Sequence, residues 1–461
     1  KVQVEDAAGN LSEVDTTPNV RWVGSGWTIF NNKGKPVQKY EPFFDDTHDF
    51  RFGKQVGVSS TLFYDPLERV VATLHPNHTY EKIIFDPWRQ TTYDVNDTVK
   101  LDPSSDDDVK AFFVPPDGTP RIPTTEYLPT WYVQRIGNPI GDPERAAAQK
   151  AAAHADTPTI AHLDTLGRPF LTLADNGPDP DQPGRHLLFA TRVELDIEGN
   201  DLHITDPRGI QAFTHRFDVA GRKLSIDSKD AGVRLTLPDV TGKSIYSWDA
   251  NGNQVRTKYD TLRRPTEAWV KPSGGGEYLA EKTMYGESIS DPNINKNHRG
   301  KVWKIYDGAG LVISDEFDFK GNLKQTRRRL LSQPRSQAQW SQPGSTNFSE
   351  SYAESLLEPG IGYTILTEYD ALNRITRHTT PDRSVTVPMY NEANLLNGVK
   401  VQIRGGGAKV FVENIDYNEK GQRTSIAYSN KVKTVYAYDQ TTFRLVGLTT
   451  TRKYDTTTPE I

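Results

Sequence analysis

The amino-acid sequence predicts a mainly β fold in which aromatic–aspartate hairpins stack into one large curved or spiralling sheet, with one or two short helices. Three observations carry this. An aromatic followed by Asp, a turn containing Gly or Asn, a basic residue and then β-forming side chains recurs in diverged form along the chain. Gly and Pro, 35 and 30 among 461 residues, are spread throughout instead of gathering in one segment. Hydrophobic residues make up only 35% and aromatics 10%, a balance that fits many polar-faced strands better than a thick aliphatic core.

The repeat starts at Tyr64–Asp65 (YDPLERVVATLHP) and Phe85–Asp86 (FDPWRQTTYDV), and continues at Leu163 (LDTLGRPFLTLADNG), Phe217–Asp218 (FDVAGRKLSI) and Trp248–Asp249 (WDANGNQVRTKYD). Later copies begin at Tyr306–Asp307, Tyr369–Asp370, Tyr417 and Tyr438–Asp439. Each unit has a mechanical reading. The aromatic ends a strand, Asp bonds the backbone of the turn, Gly or Asn accepts a positive φ, and the next strand leaves. Outgoing segments such as RTSIAY and HLLFATRVELDI carry β-branched and aromatic residues in partial alternation, as strands with one wetter face do. Neighbouring hairpins bury their surface against each other, so the sheet keeps extending. Aromatics from successive units are expected to form ladders across it.

Two segments interrupt the repeat. Residues 1–96 read as a first repeat region. Residues 97–157 read as an irregular Pro-rich excursion followed by an Ala-rich helix, with Asp142 as N-cap, Pro143 at the first helical position and Pro158 beyond the end. Residues 158–461 read as repeat again, with a polar, Pro-punctuated loop insertion near 328–362 expected to lie on the sheet. The chain starts without Met and ends in TTTPEI just after a strand-like run, which suggests a processed or excised piece.

Composition also excludes functions. A net charge of −5 supplies no basic field for nucleic acid. The chain has no cysteine, so disulfides, thiolate metal sites and cysteine nucleophiles are ruled out. No run is apolar enough to span a bilayer as a helix, and the first residues show no signal-peptide core. His75 and His78 with Asp86, and His154 and His162 with Asp156 and Asp164, have spacings a metal could use, but no third ligand is specified and turn roles explain them. Catalytic carboxylate pairs need a defined cleft, whereas Asp recurs here at the turn position. Turn-forming roles are therefore assigned to Asp65, Asp86, Asp218, Asp249, Asp260, Asp307, Asp370 and Asp439. No catalytic residue, cofactor or metal is expected.

The run YDPLERVVATLHPNHTYEKIIFDPWRQTTYDVNDTV, from Tyr64 to Val99, resembles the B components of Tc insecticidal toxins and their fused B–C relatives, as do AAAHADTPTIAHLDTLGRPFLTLADN, RGKVWKIYDGAGLV, YDALNRITRHTTPDRS and YNEANLL. The resemblance covers nearly the whole chain and marks it as the C-terminal YD/Rhs-repeat region of a B component. It implies a wall segment of a hollow β shell that encloses a cytotoxic C-terminal polypeptide, in a secreted or extracellular toxin. The implied partners are a C-component-like repeat half downstream, the enclosed toxin polypeptide, and a pore-forming A component reached through regions not recognised here. The family's self-cleaving aspartates have no recognisable equivalents in this sequence. Two other classes compete: a cell-surface YD-repeat protein for adhesion or carbohydrate binding, and a repeat-scaffold glycan hydrolase.

Overall fold

The structure is a computed structural model and describes residues 2–5, 11–14, 22–115, 118–137, 139–291 and 295–452. Its main body is one antiparallel sheet of twenty-eight strands, running from Thr28–Phe30 to Leu445–Arg452. Short turns favour pairing between consecutive strands, and here nearly every strand pairs with its chain neighbours: Tyr278–Tyr285, for example, lies between Pro265–Lys271 and Val302–Asp307. One detour occurs near the start, where Pro36–Tyr40 pairs with Ser59–Tyr64 while the intervening Phe43–Asp45 pairs with Trp22–Gly24 in a small separate sheet.

A meander of this kind places successive turns alternately on two rims. The turns at Asn31, Asp65, Asp86, Asp164, Asp196, Asp218, Asp239, Asp260, Asp318, Asp370, Asn391, Asn418 and Asp439 fall on one rim, called here the first. The turns at His75, Asp206, Asp249, Asp307 and Thr380 fall on the second, together with residues 41–58 and both excursions.

The ribbon curls until its ends meet. The strand order returns on itself, but the closing step from Leu445–Arg452 to Thr28–Phe30 has no register of Cα partners, unlike the other steps, so the sheet is open. Contact is made rim to rim. Lys420 on the first rim pairs with Glu41 on the second at 2.9 Å, and Val23 and Phe44 close a cleft of about 690 Å³ against the turns at Asn391 and Asn418. His75, also on the second rim, has its pKa lowered by burial; Glu81 opposes the shift and the charge of Arg444 on the first rim adds to it. The early strands therefore sit with their second rim on the first rim of the late strands, as in a spiral.

Among the described residues, the apolar cores lie where the excursions cover the sheet. Under the first, Phe113, Tyr127, Val109 and Ile122 close over Ala72, Leu74 and Tyr80. Under the second, Trp340, Ala338, Ala353 and Leu357 close over Trp269, Leu279, Tyr306 and Leu311. The described residues contain four short α-helices, Lys110–Phe113, Trp131–Ile136, Asp142–Ala152 and Glu350–Ser355, against the one or two expected. Gly141 at φ 112° takes the N-cap of the third; Asp142 lies inside its first turn, where the helix dipole favours a carboxylate. Near the second excursion, strand Leu323–Leu330 runs on through the basic triplet, because Arg327, Arg328 and Arg329 each find a carboxylate, on Asp315, Asp307 and Glu354 respectively.

Candidate functional site

The recurring Asp turn is the chain's most repeated device. In the unit at Asp218, Oδ1 accepts the backbone N–H of Ala220 and of Arg222, both at 2.9 Å, while Oδ2 accepts Arg222 Nε at 2.6 Å. The main chain closes the same loop, with Asp218 N–H donating to Arg222 O and Gly221 N–H to Asp218 O. Gly221 takes φ 72°, and the register shifts at Phe217. This is a type I turn with a following bulge, the combination that keeps the strand twist.

Asp65 with Arg69 and Asp370 with Arg374 repeat the geometry, and Asp260 pairs with Arg264 in the same manner. At Asp86 the arginine stands three residues on. At Asp249 the partner is Asn253, and Asp439 is held instead by the hydroxyls of Thr441 and Thr442. Asp307 forms its pair with Arg328 from two strands away. These donors hold the carboxylates below their ordinary range. For Asp218 the Arg222 amide is the main cause; for Asp439 burial pushes upward but the donors outweigh it and bring the value to about 2.

The motif aromatic joins one unit to the next. Tyr64, Tyr369 and Tyr438 donate their hydroxyls to the carbonyls of Pro36, Leu323 and Arg423 at 2.8, 3.2 and 2.9 Å. Each acceptor lies five residues past the Asp or Asn of the preceding first-rim turn. Tyr259, Tyr390 and Tyr417 do the same to Ser244, Ile375 and Leu396. The expected ring-on-ring ladder is replaced by an alternation of rings and cations: Arg69 lies over Phe85, Arg264 over Tyr285 and Arg374 over Tyr390, at 4.0, 3.9 and 4.7 Å from the ring centres. Turns on one rim are two strands, roughly 10 Å, apart, too far for rings to touch, and a guanidinium fills the interval. The bridging Arg was readable as the residue four after Asp; its second contact was not.

Two motif aromatics differ. Trp248 stacks on Tyr246 within its own strand, 5.6 Å between centres, and Tyr306 is fully buried against Trp340. No group of three metal-ligating side chains occurs among the described residues; His78 sits in a left-handed turn with its Nδ1 at Pro129 O. No described helix is long and apolar enough to cross a membrane.

Comparison with known proteins follows the same lines. No family model matches. Toxin subunit YenC2 of Yersinia entomophaga is 25% identical over 319 residues, covering 64% of this chain and 32% of that subunit. Toxin subunit YenC1 of the same organism is 24% identical over 66% of this chain and 31% of its own length. This chain is a homologue of those toxin subunits. It also has the fold of the TcdB2–TccC3 pair, with a TM-score of 0.76 at 22% identity over 97% of this chain and 20% of the solved one. The Photorhabdus luminescens Tc holotoxin pore, with mutation TccC3-D651A, gives the same score over 94% of the chain. The chain thus spans about a third of the length of the curated relatives it matches and a fifth of the solved chains.

Proposed function

We propose that this chain is a wall segment of a secreted Tc-type toxin shell, and that the shell encloses a cytotoxic polypeptide for delivery. The observation that carries the reading is a single-layered ribbon of twenty-eight strands that curls rim onto rim and, among the described residues, is backed by an apolar core at two places. Over the rest of the ribbon, side chains are mostly half-buried or exposed on both faces. A wall of this kind separates two aqueous spaces without offering an unfolded cargo a large continuous apolar surface. Homology to toxin subunits supports the toxin role, and likeness to the B–C pair supports the wall.

The wall is not a catalyst in this reading, since the motif carboxylates are engaged by turn amides, arginines and asparagines. Its partners are a C-component-like repeat half, the enclosed polypeptide and, through other regions, a pore-forming component. The test is an electron-microscopy envelope of the chain, alone and co-expressed with the sequence encoded immediately downstream. A hollow particle that closes with the downstream half supports the proposal. A compact solid with a single cleft overturns it and favours a glycan-active enzyme or adhesin.

A further inference from the structure

Successive turns on the first rim are bound to one another by two devices. The motif tyrosine donates its hydroxyl to the carbonyl five residues past the preceding turn's Asp or Asn, as Tyr259 does to Ser244, Tyr285 to Pro265 and Tyr390 to Ile375, at 2.7, 3.0 and 3.1 Å. The residue four past the Asp reaches forward into the next turn. Arg168 Nη1 donates to the carbonyls of Asp196 and Ile197 at 3.3 and 3.2 Å, Arg222 Nη1 to those of Asp239 and Val240 at 2.9 and 3.3 Å, and Arg374 Nη1 to Asn394 Oδ1 at 2.7 Å. These bonds matter because strands joined at the second rim are sparsely paired toward the first. Ile375–Thr379 and Val385–Tyr390 share two Cα partners, and Asp201–Thr205 and Gln211–Phe217 share three, all close to the second-rim turn. The ends at the first rim are held by side chains.

The step from the turn at Asp196 to the turn at Asp218 has neither device. Asn200 stands four past Asp196, and its Nδ2 donates within its own turn, to Asp196 Oδ2 at 2.8 Å. The motif aromatic is Phe217, which has no hydroxyl. Its place is taken from two residues earlier. His215, 6% exposed, sets Nδ1 2.9 Å from Asp201 O, the carbonyl five past Asp196. A carbonyl only accepts, so Nδ1 carries the proton. Asp201 Oδ2 lies 3.1 Å from the same nitrogen, and Phe213 and Phe217 flank the ring at 6.0 and 6.2 Å between centres. Among the described residues, the other ionic or hydrogen-bonded side-chain link across this step is the partly exposed pair Lys223–Asp201 at 3.7 Å, of a kind that contributes under about 1 kcal/mol.

We propose that this step is a hinge of the ribbon, latched by His215 standing in for the missing tyrosine hydroxyl. Release of the latch lets the turns at Asp196 and Asp218 part, while the second-rim turn at Asp206 keeps the two strands joined, so the ribbon gapes at the first rim along one line. The flanking steps, bound by Arg168 and Arg222, move as blocks on either side. Local opening of this kind belongs where few bonds hold a segment and no core backs it. The hinge goes beyond the wall reading and does not depend on what the ribbon encloses.

Hydrogen exchange of the chain, followed by peptide mass spectrometry, tests it. Residues 201–203 and 214–217 should exchange faster than residues 375–377 and 387–390 at the doubly bound step from Asp370 to Asn391, by about two- to tenfold, the worth of one net hydrogen bond. His215→Ala should raise exchange in the first pair of segments by a further factor of that size and leave the second pair unchanged. Adding Phe217→Tyr to His215→Ala should restore the original rate, by returning a hydroxyl to Asp201 O. Asn200→Arg alone, which supplies the absent bridge, should slow exchange below that of the unmodified chain, and it decides the matter if His215→Ala does not fold. Equal exchange at the two steps in the unmodified chain, a uniform rise over the sheet in His215→Ala, no restoration by Phe217→Tyr, or no slowing by Asn200→Arg each overturns the hinge. None of these results bears on whether the particle is hollow, so the hinge and the wall reading fail separately.

Discussion

The sheet around Tyr306 and the sheet between His186 and Trp248 are built from the same hairpins, yet they are held in different ways. At Tyr306 the wall is two layers thick: Trp340 and Tyr306 are fully buried, Trp340 donates its backbone N–H to Leu279 O at 2.9 Å and its indole N–H to Asp307 O at 3.1 Å, and Glu267 collects Lys258, Lys282 and the Trp269 indole. Between His186 and Trp248 neither excursion covers the strands among the described residues, and Val233, Leu235 and Leu237 are exposed. Cohesion there comes from the inter-strand ladder and from the Asp turns. Burial clamps the ribbon at two places, while turn chemistry carries it across the rest.

Substitutions can break this contrast. Trp340→Ala should be the most damaging, removing a large side chain from a closed core at a cost of about 3–5 kcal/mol. Trp248→Ala, at a half-buried position in the uncovered wall, should cost less than about 1 kcal/mol. Chemical-denaturation midpoints of the two variants give the comparison directly, and equal shifts would refute it. Next comes Lys82→Met under the first excursion. Lys82 and Asp106 are both almost fully buried, with Nζ 2.8 Å from Asp106 and 2.6 Å from Asp108. Leaving the carboxylates uncompensated should cost about 3 kcal/mol and release the excursion to limited proteolysis ahead of the wall.

Acid sharpens the comparison differently. Asp382 and Asp439 are held at about 2, the first mainly by the Thr380 hydroxyl and the second against the pull of burial. Glu267 in the covered patch also falls to about 2, its three donors outweighing burial. Folded values below the unfolded value near 4 mean that the unfolded chain binds more protons in between, so this stability is complete above about pH 4 and lost as pH falls toward 2. Circular dichroism should show a loss of β signal across that window, and hydrogen exchange should show the bare wall opening before the Trp340 patch. The smallest effect is expected from Asp218→Ala, which should speed exchange at the Ala220 and Arg222 amides and leave the strand Val302–Asp307 unchanged.

The hairpin was legible because its chemistry is local. Asp, a left-handed Gly or Asn and a cation fall within five residues, as in Asp218–Arg222 and Asp370–Arg374. The covered patches were not, because Trp340 lies in the polar run SQAQW and is buried only once that run returns to Tyr306 and Leu279. The basic triplet at Arg327 looked like loop because its carboxylates come from Asp307, Asp315 and Glu354 on other elements. The seam was hidden for a related reason: nothing near Glu41 or Lys420 in the sequence says that the two rims meet there. The stitching hydroxyls were missed as well, although a Tyr directly before a turn Asp or Asn, as at Tyr369–Asp370 and Tyr417–Asn418, is a signal that a rim-by-rim reading could have used.

The alternation of turns between rims sets a parity rule for how such a wall can change length. One added strand would exchange the rims of everything after it and carry Lys420 away from Glu41. Two added strands leave every rim assignment intact and lengthen the circuit by roughly 10 Å. Growth and shrinkage of the circumference are therefore quantised in hairpins, and a viable insertion or deletion in this ribbon is a whole Tyr–Asp unit or a loop that returns to the rim it left.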